Sequence, residues 1–162
     1  MTLCDAAERP PWDRPEWITR ADLLLSSFAN LLGRELVSRA GSPRDRARRL
    51  FEAPFVVVAH DTRADPILNY GNAAALALWE MTADRLMRTP SRLTAEPMHR
   101  DERARLLERT RRDGYVDDYE GVRISSTGRR FRIERAIVWN VADAAGNHRG
   151  QAATFSDWKV LS

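Results

Sequence analysis

"NYGNAAALALWEM", residues 69–81, is the stretch that decides how this chain is read. A polar turn, Asn69-Tyr70-Gly71-Asn72, opens directly onto alanine, leucine and tryptophan. Asn72 stands where a helix N-cap belongs, its side-chain oxygen able to accept from a free N–H of the first turn. Gly71 allows the sharp change of direction before it. The helix that follows, from Ala73 to about Met81, is apolar nearly all round and is therefore expected to be buried on most sides. Asn72 is thus architectural, and Asn69 is left as the asparagine a ligand could use.

Working outward, "PFVVVAH" reads as a strand rich in β-branched residues, "DTRADP" as a turn and "ILNY" as a second short strand. After the apolar helix come short helical turns between Ala83 and Leu93. A helix then runs from about Arg100 to Arg112 and stops at Gly114, with Asp101–Arg105 and Glu108–Arg112 as i,i+4 pairs. The last third reads as three strands, "YVDDYEGVRIS", "RRFRIERAIVWNV" and "HRGQAATFSDW", with turns at Thr127-Gly128 and Gly146-Asn147. Two strands, several helices and then three long strands argue an α+β fold: a five-stranded antiparallel sheet with helices on one face.

Two helices precede this unit. Thr19 with Asp22 reads as a capping box before Leu24, Leu25, Phe28, Leu31, Leu32 and Leu36. Ser42, Pro43 and Asp45 repeat that logic for a second helix ending near Phe51. The expected organisation is a flexible leader over 1–16, a helical extension over 17–52 and the sheet domain over 53–162. The apolar stripes of the two helices need a partner, either the domain's own sheet or a second chain.

The chain has 162 residues, 43% of them hydrophobic and 30% charged, as one folded domain with a real core requires. No run of 18 apolar residues marks a membrane span, and no basic start before an apolar run marks a signal peptide. The lone cysteine, Cys4, cannot form an internal disulfide, so a reducing, cytoplasmic setting is expected. The net charge is +3 and Lys159 is the only lysine. The densest basic run, "RDRARR" over 44–49, has no stacking aromatic inside it and reads as a solvated helix face, which argues against nucleic acid as a partner.

The order of elements, with its Asn-capped helix after the second strand, resembles a PAS domain. More closely, the chain resembles the MEKHLA-domain family, a PAS-like group, in its short bacterial stand-alone form. "APFVVVAHDT", "DPILNYGNAAALALWEM", "PSRLTAEP", "RDERARLLERTRRDGYVDDYEGVRISSTGRRFRIE", "VWN" and "GQAATFS" carry the resemblance. It implies a sensory or regulatory role, a homodimer formed through a leading helix and the outer sheet face, and signalling through that dimer or a protein partner. It supplies no catalytic residue. The flavin–cysteinyl photochemistry of light-sensing relatives is excluded, because the helical half has no cysteine. Haem ligation would fall to His99, which reads first as a helix-entry residue. His60 and His148 add no metal-ligand spacing, and the identity of any cofactor stays open.

A PAS-like fold implies a cavity between the sheet and its helices, and strand parity nominates what faces it. In "RRFRIERAIVWNV" the odd positions Phe131, Ile133, Ile137, Trp139 and Val141 are apolar, and Arg135 breaks the set. With Thr127-Gly128 as a two-residue turn, Glu120 opposes Arg135 on the inner face. That pair is read as a half-buried ion pair or as an arginine available to a ligand anion. A three-residue turn would reverse the parity and weaken both readings. Gln151, with small neighbours, is the second polar candidate, and Trp79 and Trp139 are candidate walls or core filling. The ligand-binding candidates are therefore Asn69, Trp79, His99, Glu120, Arg135, Trp139 and Gln151. No nucleophile–base–orienter set is visible, so a ligand-binding module is favoured over a small enzyme acting on an anionic substrate, or a pure interaction domain.

Overall fold

The computed structural model describes residues 9–161. Its elements are α1 (Pro15–Leu32), α2 (Pro43–Phe51), β1 (Val56–His60), β2 (Leu68–Gly71), α3 (Ala73–Trp79), α4 (Ala83–Leu86), α5 (Arg100–Asp113), β3 (Tyr115–Ile124), β4 (Arg130–Ala142), β5 (His148–Phe155) and β6 (Asp157–Val160). The strands form one antiparallel sheet in the order β2-β1-β5-β4-β3, and β6 adds a sixth, short strand against β4. The α+β architecture is as the sequence implies.

Asn72 holds the first half together. Fully buried, its Oδ1 accepts from Ala75 N at 3.1 Å, capping α3, and from Val57 N at 3.0 Å, anchoring β1. Its Nδ2 donates to the carbonyls of Leu50 and Phe55 at 3.2 and 2.8 Å. One side chain thus satisfies four backbone groups on three segments, which is why an apolar helix can start in the core. Helix α3 ends at Glu80, a left-handed residue with φ 58°. Glu80 accepts from Ser125 Oγ at 2.6 Å and from Thr127 Oγ1, clasping the β3–β4 turn to the helix.

Helix α1 begins at Pro15, with Arg14 as an N-cap that makes no side-chain bond. The Thr19–Asp22 signature therefore lies inside the helix, and Asp22 is taken by Arg46 at 2.9 Å. Pro15 starts the helix earlier because its fixed φ suits the first helical position. The capping box of α2, between Ser42 and Asp45, forms as expected. Within the expected leader, Pro11–Asp13 forms a 3-10 turn and Trp12 is buried under Arg44. Cys4 lies outside the described residues. The i,i+4 pair expected at Glu108–Arg112 is replaced, because Glu108 bonds Arg111 and Arg112 bonds Asp113.

The two N-terminal helices find their partner within the chain. Trp17, Leu24, Leu25 and Phe28 of α1 and Leu50 of α2 pack on Val57, Tyr70, Trp139 and Val141, with Ala83 of α4 in the same cluster. Each fully buried side chain of that size contributes on the order of 1.5–3 kcal/mol. The other face carries Val56, Trp79, Phe131, Ile133 and Phe155, continued by Leu106, Val116 and Val138.

The strand register departs from the simple alternation. Ser125 N bonds Arg129 O at 2.9 Å, so three residues, Ser126, Thr127 and Gly128, make the turn, with Gly128 at φ 90°. Ile124 then opposes Arg130 and Gly121 opposes Ile133, one step from the two-residue register. A bulge at Arg135, φ 51°, shifts the strand again. Phe131 and Ile133 face α3, whereas beyond the bulge Ala136 and Val138 face inward and Trp139 and Val141 face α1. A one-residue step turns every following side chain to the other face.

Candidate functional site

Between the inner sheet face and helices α3 and α5 lies a cavity of about 70 Å³. At roughly 10–15 Å³ per water position, it holds about five waters. Its apolar wall is Val58, Leu68, Trp79, Leu106, Ile133, Val138 and Phe155. Polar groups reach it from five directions: His60 from β1, Ser91 and Thr94 from a 3-10 turn, Arg103 from α5, Tyr119 and Arg123 from β3, and Gln151 from β5.

Two of these are buried arginines, Arg103 at 8% and Arg123 at 7% exposure. Arg103 Nη2 donates to Ser91 Oγ. Arg123 donates to the Val122 carbonyl at 2.9 Å and to the Tyr119 hydroxyl at 3.1 Å, with its guanidinium 5.4 Å above that ring. Burial, and then the Arg123 charge, bring the Arg103 guanidinium down to about 10, so it stays protonated at neutral pH. Among the described residues neither arginine has a carboxylate within salt-bridge distance, although thirteen other cation–carboxylate pairs form.

His60 adds a third potential cation. Its Nδ1 meets the Asp61 carbonyl at 2.9 Å, while the buried Nε2 has no hydrogen-bond partner. Burial foremost, and the nearby Arg103, lower its pKa below the usual histidine value and favour the neutral ring. The buried Nε1 of Trp79 is likewise unpartnered, the ring being held edge-on by Phe131 and Phe155. The cavity is thus lined by two buried polar atoms without partners, one from the sheet and one from α3, as Trp17 Nε1 and Tyr70 OH also are in the core beneath α1.

Of the sequence-nominated residues, the cavity unites only Trp79 and Gln151. Gln151 is partly spent as a strut, its Nε2 donating to the Leu107 carbonyl at 2.8 Å and to Asn140 at 3.1 Å. Trp139 is on the opposite face, bonded to Ser27, because the bulge at Arg135 reverses the parity. Arg135 itself points to solvent and pairs with Asp157 at 2.8 Å, and Glu120 is exposed beside it. The inner-face pair Glu120–Arg135 is corrected on both counts by the three-residue turn and the bulge. Asn69 offers its backbone carbonyl to Arg20 at 2.8 Å and does not line the cavity. His99 sits at the N-terminus of α5, outside the cavity lining.

Arg103, Arg123, Tyr119 and His60 are the residues that sequence reasoning missed. Arg103 had a signal: with Leu106, Leu107 and Thr110 it makes an i, i+3, i+4, i+7 stripe, the inward face of α5. Arg123 alternates with Tyr119 and Gly121, but apolar Val122 and Ile124 pulled the parity the other way. The arginines of "RDRARR" are engaged elsewhere: Arg44 with Asp13, Arg46 with Asp22, Arg48 with Glu52, and Arg49 with the carbonyls of Ser38 and Ala40. Among the described residues no helix is long and apolar enough to cross a membrane.

Comparison with known proteins agrees with this geometry. The MEKHLA domain model matches residues 18–160. Homeobox-leucine zipper protein ATHB-9 of Arabidopsis thaliana is 25% identical over 145 residues, which are 90% of this chain but 17% of that protein. The chain therefore spans about a sixth of that curated relative. Among solved structures, the PAS domain of a protein from Colwellia psychrerythraea superposes with a TM-score of 0.60 at 13% identity, covering 73% of this chain and 95% of that one. An RNA-binding light-oxygen-voltage receptor superposes at 0.57 and 19% identity, over 74% of this chain and 34% of that one. At those identities the likeness is one of fold.

Proposed function

This chain belongs to the MEKHLA-domain family, and from that premise we propose that it is a PAS-like sensory module that binds a small molecule in the cavity between β-sheet and helices. The observation that carries this reading is the convergence of buried, incompletely bonded polar groups on one space. A core evolved only to pack would place apolar groups there, since each unpaired polar atom costs about 1–3 kcal/mol. The setting of the curated relative, a homeobox-leucine zipper protein, fits a regulatory role.

A route for the signal supports the same reading. Ala59 and Ala152 line the cavity and also belong to the core packed beneath α1. These small residues make the sheet a thin wall, so a shift of β1 or β5 on binding would be felt by α1. The signal then passes from α1 to a second copy or to a partner protein.

A native mass spectrum of freshly purified protein, beside its denatured mass, tests the proposal. Wild-type protein is expected to carry a non-covalent adduct that is absent from Ala153→Phe, a variant that fills the cavity. A bare wild-type chain that Ala153→Phe only stabilises would make the space an underfilled core and end the reading. The same spectrum reports whether the chain dimerises.

A further inference from the structure

We infer that the molecule bound in this cavity is a small organic anion, its carboxylate or phosphate group held between Arg103 and Arg123 with its apolar body against Leu68, Leu106 and Phe155. This inference rests on the cavity being a ligand site, as proposed above, and adds the chemical class of what enters it.

Two guanidinium groups are more than nine-tenths buried on different elements, α5 and β3, and line one cavity. Buried charges are ordinarily paired, because an unpaired one loses its hydration without return. Two nearby acids that might have served are committed elsewhere, Asp65 to Arg92 and Asp61 to Arg63. Each guanidinium carries five N–H donors. Arg103 spends one on Ser91 and Arg123 spends two, on Val122 and Tyr119. The remaining donors and two uncompensated positive charges call for an oxyanion, which arginine forks recognise in pairs of hydrogen bonds.

Size and surroundings narrow the class. About 70 Å³ is roughly half the ~150 Å³ that takes up benzene, so it excludes a nucleotide, a long acyl chain or an aromatic ring and suits a chain of a few carbons. Most of the remaining lining is apolar, so a bare inorganic ion would leave it unused. A carboxylate or phosphate monoester on a compact apolar body matches both ends.

The experiment titrates three small probes, propionate, methyl phosphate and neutral 1-propanol, into wild-type protein, Arg103→Gln, Arg123→Gln and Arg123→Lys, each refolded from denaturant to remove any co-purified adduct, followed by calorimetry. Wild-type protein is expected to bind at least one of the two anions at least about tenfold more tightly than 1-propanol. Either glutamine variant should abolish that preference, and Arg123→Lys should restore it in part, since it keeps the charge but not the fork. Whichever anion binds more tightly distinguishes a carboxylate ligand from a phosphate. Should a glutamine variant fail to fold, Tyr119→Phe, which removes only the hydroxyl that orients Arg123, is expected to weaken anion binding severalfold. Propanol bound as tightly as either anion would overturn the anion inference while leaving the cavity reading intact. No binding of any probe would overturn both.

Discussion

The indole Nε1 of Trp139 donates to Ser27 Oγ at 3.0 Å, joining the fourth strand to a helix 112 residues earlier in the chain. The same hydroxyl donates onward to the Leu23 carbonyl at 2.7 Å, so Ser27 is used in both directions. This bond fixes α1 on the outer face of the sheet, with Phe28 edge-on to Trp139 at 5.0 Å. The leading helix thus covers in cis the surface through which the resemblance implied a dimer. Ser27→Ala should orphan the indole N–H and cost about 1–3 kcal/mol. Urea denaturation should show it as a lower midpoint, with ligand binding unaltered. An unchanged midpoint would mean that the bond adds nothing.

Asn72 makes a sharper case. Asn72→Ala removes the partner of four buried backbone groups and should cost well over the ~1 kcal/mol of an ordinary N-cap. Asn72→Asp keeps the cap acceptor but loses both donors and buries a charge, so it should be comparably damaging. Were Asn72→Asp close to wild type in chemical denaturation, the two donor bonds would be unimportant.

His60 sets a pH dependence. Its folded-state pKa lies below the ordinary value of 6.5, chiefly through burial, with Arg103 and His148 also lowering it and Asp61 opposing them. The unfolded chain therefore binds the proton more readily. The neutral ring's contribution is complete above about 6.5 and is lost as pH falls through the folded pKa. Thermal midpoints measured from pH 7.5 to 5 should fall more steeply for wild type than for His60→Gln. Parallel curves would remove His60 as the cause.

Arg135 tests the corrected register. It holds φ 51°, a conformation glycine adopts without strain, and its side chain reaches only the exposed Asp157. Arg135→Gly should leave the thermal midpoint level or raised, and binding of any cavity ligand unchanged. Loss of binding in this variant would restore the inner-face reading of Arg135.

The local code of this fold was legible because it is written in residues that act on their own neighbours. Asn72 before an apolar run, Ser42-Pro43-Asp45 and Gly114 each satisfy backbone groups within a few residues, and all three stand where they read. The register of β3 on β4 was not legible. It depends on whether Ser126 joins the turn and on one arginine adopting a left-handed conformation, choices that the Glu80 clasp and β6 stabilise from a distance. That single step moved Trp139 and Arg135 out of the site and Arg123 into it. Arg103 could have been found, since it heads the buried stripe of α5, but arginine in an arginine-rich helix reads as solvated.

On the proposed reading the space beneath α5 is an electropositive ligand site rather than incomplete packing. Anomalous diffraction from crystals of protein refolded free of any adduct and soaked in sodium bromide addresses this most directly, because bromide needs only charge and room. A bromide peak is expected inside the cavity, in contact with both the Arg103 and Arg123 guanidinium groups. Bromide bound at surface sites with none in the cavity would contradict it.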